Sequence, residues 1–514
     1  MKNKIIILTA LLALGTASVG AQSFSYNETN NLFYFAQRTP QSNQLNPAFF
    51  PSTLYLSLPG LNALQLGLPL AIGDIAHYDA NQNVNVIDIN HTLDCLTENN
   101  KFRLGMDVNL LGLGMRIAGV FVDANVQLKT NFNLGLPMDA INFVLNGNVQ
   151  PDGSAYPVMP ILDGDFFNMQ MYLETSVGAG FHVPMTGLTV GAHVKLLSGL
   201  INMQTDNTKV TFETDEDYNS VHAHMYYEVA GASVVPIDTA NGFDFGAIAN
   251  DIRNNLGDVA KSLYDINNGN TGYAIDLGAK YDLGIFSISA SIIDLSPGIH
   301  WQQNVVTLRP SNPQGSIDFN GMDISELLSG GSVNTDSLMN YLNGQIKGMI
   351  PEFQMGGNDY YYTIPTKMNI GASVNLGLLK AGILFHGQWD RGLLKPKTIN
   401  HASDVELDLG EGGISELKNT FRFNTTLSAS VNLFNWIEVI AGSSIVYDGS
   451  GLSNITLSNF LNPGVGIILT PATLLQAYVM MDYASSMYLT QMKGFNFKLG
   501  FNVLIGSNSR TRIL

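Results

Sequence analysis

Phe421-Arg422-Phe423-Asn424-Thr425-Thr426-Leu427-Ser428-Ala429-Ser430-Val431-Asn432-Leu433 decides the fold. Every second residue, from Phe421 through Leu427 to Leu433, is apolar or small. The residues between them, Arg422, Asn424, Thr426, Ser428, Ser430 and Asn432, are polar. A period of two places the two sets on opposite faces of a β-strand. At 13 residues the run is about twice an ordinary strand. The same pattern returns at 272–283, 285–294, 366–376, 379–389, 436–447 and 494–506. Earlier copies lie at 102–111, 114–129, 168–183 and 188–203, with weaker ones at 54–69, 463–470 and 474–482. Long two-faced strands with small polar residues on one face predict an all-β fold: a transmembrane antiparallel β-barrel of about fourteen strands, with a polar lumen.

The connections support this reading. Short ones fall at 111–113, 184–187, 283–284, 377–378, 433–435 and 471–472, and long ones lie between them. Strict alternation of short and long is the signature of periplasmic turns and outer loops, and it predicts an even strand number. Aromatic residues near strand ends, among them Trp389, Phe434, Trp436, Tyr447, Tyr483 and Tyr488, suit an interfacial girdle. Two loop segments carry helical periodicity, Phe245 to Ile266 and Asp336 to Met349, so the outer loops are expected to be partly helical. Thr208–Glu213 and Val221–Val229 are expected to pair as a hairpin beyond the membrane.

Composition narrows the class further. Charged residues make up 13%, while glycine numbers 51. Soluble domains carry about twice that charge. The net charge of −17 argues against a nucleic-acid partner. Residues 1–21 read as a cleaved signal peptide. Lys2 and Lys4 precede the apolar run Ile5–Leu14, and Val19-Gly20-Ala21 supplies the small residues of a cleavage site. The expected location is therefore the outer membrane of a Gram-negative type of cell, in contact with its lipid. The organisation is a 22–52 periplasmic or plug segment followed by a 53–514 barrel. The single Cys95 forms no internal disulfide.

No metal, cofactor or enzyme is expected. The nine histidines show no zinc spacing, although His222, His224 and Glu228 share a strand face. No Gly-x-Ser-x-Gly elbow is present. Charged residues on the polar phase of strands, namely Asp107, Asp123, Glu174, Lys195, Asp276, Lys280, Arg422 and Lys498, are expected to line the lumen and neutralise one another. Asn424 and Asn502 are expected to face the same lumen.

Gln44-Leu45-Asn46-Pro47-Ala48-Phe49, just before the first strand, resembles the N-terminal hatch of the FadL-like long-chain fatty-acid transporters. The stretches Tyr273–Tyr281 and Ser289–Leu295, followed by Trp301, look like a group of uncharacterised outer-membrane barrels often placed beside that family. The resemblance implies fourteen strands, a plug folded into the lumen and a hatch at Asn46, Pro47 and Ala48. It also implies passive uptake or binding of a hydrophobic or amphipathic small molecule. The competing expectation is a non-transporting outer-membrane scaffold, a partner of a secretion or surface-assembly system.

The fold class has a direct check. The purified protein should give a β-rich circular dichroism spectrum and migrate faster on a gel before boiling than after. A predominantly helical spectrum would contradict the reading.

Overall fold

The computed structural model describes residues 31–505 except 52, 80–83, 88, 97–98, 147–157, 164–165, 215–220, 238–244, 310–315, 320–351, 356, 390–391, 398–404, 408–420, 435, 447–461, 473 and 483–491. The signal peptide expected at 1–21, Tyr447, Tyr483, Tyr488 and the helix expected at Asp336–Met349 lie outside the described residues.

Fourteen antiparallel strands close into one barrel. In chain order they are β1 (Leu54–Ser57 and Gly60–Gly67, interrupted at Leu58-Pro59), β2 (Asn99–Ile117), β3 (Val120–Pro137), β4 (Phe167–His182), β5 (Leu188–Thr214), β6 (Thr271–Leu283) and β7 (Phe286–Trp301). They continue as β8 (Lys367–Asn375), β9 (Leu379–Trp389), β10 (Phe421–Leu433), β11 (Ile437–Val446), β12 (Asn462–Ala472), β13 (Leu475–Asp482) and β14 (Gly494–Ile505). Each pairs with its chain neighbour, and β1 closes the ring against β14 through Leu54↔Ile505 and Leu66↔Phe495. Closure leaves no open edge, which a sheet in hydrocarbon requires. No helix among the described residues is long and apolar enough to cross a membrane.

The 421–433 segment forms β10. Asn424, Thr426, Ser428 and Ser430 are buried inside, while Leu427 is 51% exposed on the outer face. Val177 and Val194 (both 62%), Ile288, Ile383, Val465 and Phe501 are exposed in the same way. On a soluble protein so wide an apolar surface would be an interface; on a barrel it is the lipid-facing band. Phe434 and Trp436 stack at the short-turn end, 6.5 Å between ring centroids. Trp389 packs on Phe421 toward the long-loop end, at 4.6 Å.

The structure corrects the sequence reading at the β2–β3 turn. The expected turn at 111–113 is part of β2, and the true turn is Ala118-Gly119, both with positive φ (49° and 87°). The cause is a β-bulge between Asn109 and Leu111. It leaves Leu110 and Leu111 side by side on the lipid face, so the alternation slips by one residue without the chain reversing.

β5 is 27 residues long. A strand needs only about 9–11 residues to cross a bilayer, so its distal half stands beyond the membrane, paired with Val221–Ser233. The helical stretch there is two helices, Phe245–Asn254 and Leu256–Leu263, interrupted at Asn255. Ile248 and Val259 pack against Leu200, Ile201, Val234 and Val235.

Residues 31–50 lie within the barrel at its short-turn half. Two short 3₁₀ turns, Asn31–Phe35 and Pro40–Gln44, carry Leu32, Phe33, Tyr34 and Phe35 onto the wall. The wall meets them with glycine. A Cβ on Gly442 would come 2.7 Å from Leu32, on Gly371 2.6 Å from Tyr34, on Gly382 2.3 Å from Phe35 and on Gly191 2.1 Å from the Pro47 carbonyl oxygen. Absent side chains on the wall thus create the volume that the segment fills.

Gly191→Ala should therefore lower stability by about 1–3 kcal/mol through overpacking, read as the midpoint of heat-induced gel-mobility change. Gly135→Ala, whose Cβ would meet nothing nearer than 3.6 Å, should leave that midpoint unchanged.

Candidate functional site

The lumen is filled in three levels. At the long-loop end Tyr172, Leu197, Ile299, Trp301 and Ile364 form a buried apolar layer with Tyr360 and Tyr362 packed against it. Segment 31–50 occupies the short-turn end. Between them lies a cavity of about 60 Å³, lined by Asp107, Lys129, Glu174, His193, Lys195, Asp276, Asp294, Lys367 and Lys498, with Gln44 and Leu45 contributed by the inner segment. A water needs about 10–15 Å³, so the space suits a few waters or one small ion.

The charges around it are paired at short range. Lys195 Nζ sits 2.6 Å from Asp294, 2.8 Å from Asp276 and 3.6 Å from Glu174. Lys129 pairs with Glu174 at 2.8 Å and Lys367 with Asp294 at 3.2 Å. His193 lies between two carboxylates, 3.4 Å from Asp123 and 3.4 Å from Asp276. The network reaches the inner segment, because Asn43 Nδ2 donates to Asp123 at 2.8 Å.

One member comes from a backbone feature that alternation hides. Asp294 lies out of phase with Ser287, Ser289 and Ser291. A regular strand would aim it at lipid. Two successive register shifts between β6 and β7, and a positive φ of 58° at Asp294, turn it inward. The sequence reading missed it, together with Lys129, His193 and Lys367. Lys129, His193 and Lys367 all lie on the polar phase of strands read from the sequence, the 114–129, 188–203 and 366–376 runs, so each carried a readable signal.

The residues singled out from sequence lie in different places. Asp276 and Lys498 reach the central cavity. Asn424 receives Asn31 Nδ2 as a hydrogen-bond donor, and Asn502 joins Gln41, Ser57 and Gln476. Both therefore hold the inner segment. Lys280 stays near the short-turn rim, 3.0 Å from Asp282. The side chains of Arg422, His222 and His224 lie outside what the structure describes. Asn46 is fully buried. Its Nδ2 donates to the Tyr34 hydroxyl (3.1 Å) and the Ala290 carbonyl (3.2 Å), and its Oδ1 accepts from the Ala48 amide (2.9 Å). Pro47 and Ala48 follow against Gly191, and Gly278 faces Asn46 and Pro47.

A family model, described as a family of unknown function (DUF5723), matches residues 47–482. The chain belongs to that family. No curated protein matches this DUF5723 chain. Among solved structures it is similar to the Pseudomonas putida toluene transporter TodX, with 9% identity, a TM-score of 0.39 and coverage of 91% of this chain and 92% of that one. It is also similar to the CymD monoaromatic hydrocarbon channel, with 9% identity, a TM-score of 0.36 and coverage of 91% and 92%. A Pseudomonas aeruginosa FadL homologue is similar at 9% identity, with a TM-score of 0.34 and coverage of 91% and 93%.

Removing one member of the buried network leaves uncompensated charge. Lys195→Met should cost about 3–5 kcal/mol, seen as a fall in the thermal midpoint. Lys261→Met breaks a pair with Asp258 in which both side chains are 82% exposed and should cost close to nothing.

Proposed function

We propose that this chain is a gated outer-membrane channel, closed in the state described. In this reading residues 31–50 act as a plug that must shift before a small amphipathic molecule passes. The observation that carries it is the seat of that segment. The wall presents glycines to it at Gly191, Gly278, Gly371, Gly382 and Gly442. Side chains and backbone of the segment fill the hollows where wall side chains are absent. Its polar anchors are directional and include Leu32 N to Asp482 (2.7 Å), Tyr34 to Ser289 (2.8 Å), Asn43 to Asp123 and Arg38 to Asn432 (2.8 Å), besides the bonds that Asn31, Gln41, Gln44 and Asn46 make to the wall. Each such bond contributes only about 0.5–1.5 kcal/mol, or about 1.5–3 where a charge takes part. Asn46, Pro47 and Ala48 serve as the hinge-side contact, and the ion network as the floor on which the plug rests, with no catalytic role assigned to it.

The scaffold reading is favoured by a different observation. The central cavity is small, and most of its lining is charged or polar side chains. An amphipathic ligand therefore has to enter a lumen that has rearranged, whereas a scaffold can stay as it is.

Gly278→Val separates the two. Its side chain would collide with Asn46 and the Pro47 backbone, 2.1 and 2.8 Å from a Cβ, and should expel the plug. Trypsin cleavage at Arg38 of the reconstituted protein reports the expulsion. Small-solute entry into the proteoliposomes should then rise several-fold over wild type. Cleavage without any rise in permeability would defeat the channel reading and leave the scaffold standing.

A further inference from the structure

The helix pair Phe245–Asn254 and Leu256–Leu263 sits against the outside of the wall, not over the lumen. Leu128 and Met171 belong to the cluster on which it packs. Leu128 stands between Gln127 and Lys129, which both line the cavity, so its own side chain points away from the lumen. Met171 stands in the same way between the buried Gln170 and Tyr172, and it pairs across the sheet with Ile201 of the same cluster.

The wall also gives the height of the pair. Tyr264, just past the second helix, shares a hydrogen bond with Thr175 of β4, 3.3 Å between the hydroxyl oxygens. Thr175 stands opposite Leu196 of β5, and the next outward pair toward the short turns is Val177 with Val194, in the lipid-facing band. From Thr175 to His182, where β4 ends, the strand falls just short of the about 9–11 residues that cross a bilayer. Tyr264 thus stands at the outer edge of the hydrocarbon, directly above lipid-facing side chains. Tyr273 of β6 pairs with Leu196 and adds a second phenol at this level, where aromatic belts form.

Packing on the wall leaves apolar surface over. Leu256, Val259 and Leu263 share one helical stripe. Val259 and Leu263 are packed against the wall cluster, whereas Leu256 is 62% exposed. Ile266, beyond the helix, is 69% exposed, and half of Tyr264 is exposed. Asp258 and Lys261 lie on the opposite side of the helix, paired with each other and open to water. An apolar stripe that outruns its protein contact at this height continues the lipid-facing band.

We propose that the helix pair is an interfacial anchor, with Leu256, Tyr264 and Ile266 seated in the outer leaflet where headgroups meet acyl chains. Its partner is the lipid surface itself, held by apolar and aromatic contact. The anchor fixes the height at which the long β5 leaves the membrane. The assignment is independent of what, if anything, crosses the barrel.

Fluorescence quenching tests it in lipid nanodiscs, where both faces are open to solutes. Single cysteines are placed on a Cys95→Ser background and labelled with a small fluorophore: Leu256→Cys and Ile266→Cys, with Val177→Cys as the lipid reference and Lys261→Cys as the water reference. Heat-modifiable gel mobility checks that each has folded, and should one of the two test variants fail, the other carries the test. Phosphatidylcholine brominated near the carbonyl end of its acyl chains should quench the labels at 256 and 266 nearly as well as at 177, and several-fold more than at 261. Dissolved iodide should give the reverse order. Iodide quenching at 256 and 266 equal to that at 261 would overturn the proposal and leave the helices standing in water. Labels shielded from both quenchers would overturn it as well, because a protein contact then covers the stripe.

Discussion

Inside a bilayer every peptide N–H and C=O must find a partner within the protein. For a strand-forming chain that requirement forces closure, here through β1 against β14. Closure with fourteen strands makes a lumen far wider than wall side chains can fill, since about eight strands already suffice to pack an interior. Everything inside this barrel answers to that surplus width: the apolar layer at Trp301, the ion network at Lys195 and the segment 31–50 are three ways of occupying the same volume.

The levels differ in what they tolerate. The apolar layer and the aromatic residues of the inner segment gain from leaving water, about 1.5–3 kcal/mol for each large side chain fully buried. The ion network gains nothing comparable, because desolvating its members offsets most of their attraction. Its contribution is geometric. Lys195 draws together carboxylates from β4, β6 and β7, and His193 extends the chain of contacts through Asp123 to Asn43. Disturbing one end of such a chain removes a partner from the next.

Strand number, strand order and the facing of most side chains were legible, because period-two alternation and loop parity are local signals. β10 needed nothing beyond its own thirteen residues. Legibility failed where the backbone departs from that period. The bulge at Asn109–Leu111 looked like a turn, and the left-handed Asp294 looked lipid-facing. The resemblance carried by Asn46-Pro47-Ala48 implied an inner segment. Its seat was not legible, because glycines 191, 278, 371, 382 and 442 acquire meaning only once strands far apart in sequence stand side by side. The pairings of the ion network were hidden for the same reason, since Lys129, Lys195, Asp294 and Lys367 belong to four different strands, although Lys195 and its carboxylates Glu174 and Asp276 were expected to line the lumen.

The inner segment also ties distant parts of the sequence together. Its contacts run to β3, β5, β7, β10, β13 and β14, and the hydrogen bond from Leu32 to Asp482 spans 450 positions of sequence. The seat is complete only when the last strand has met the first. Full burial of the earliest part of the described chain therefore requires its latest strands, so the two ends of the sequence share one site in the finished ring.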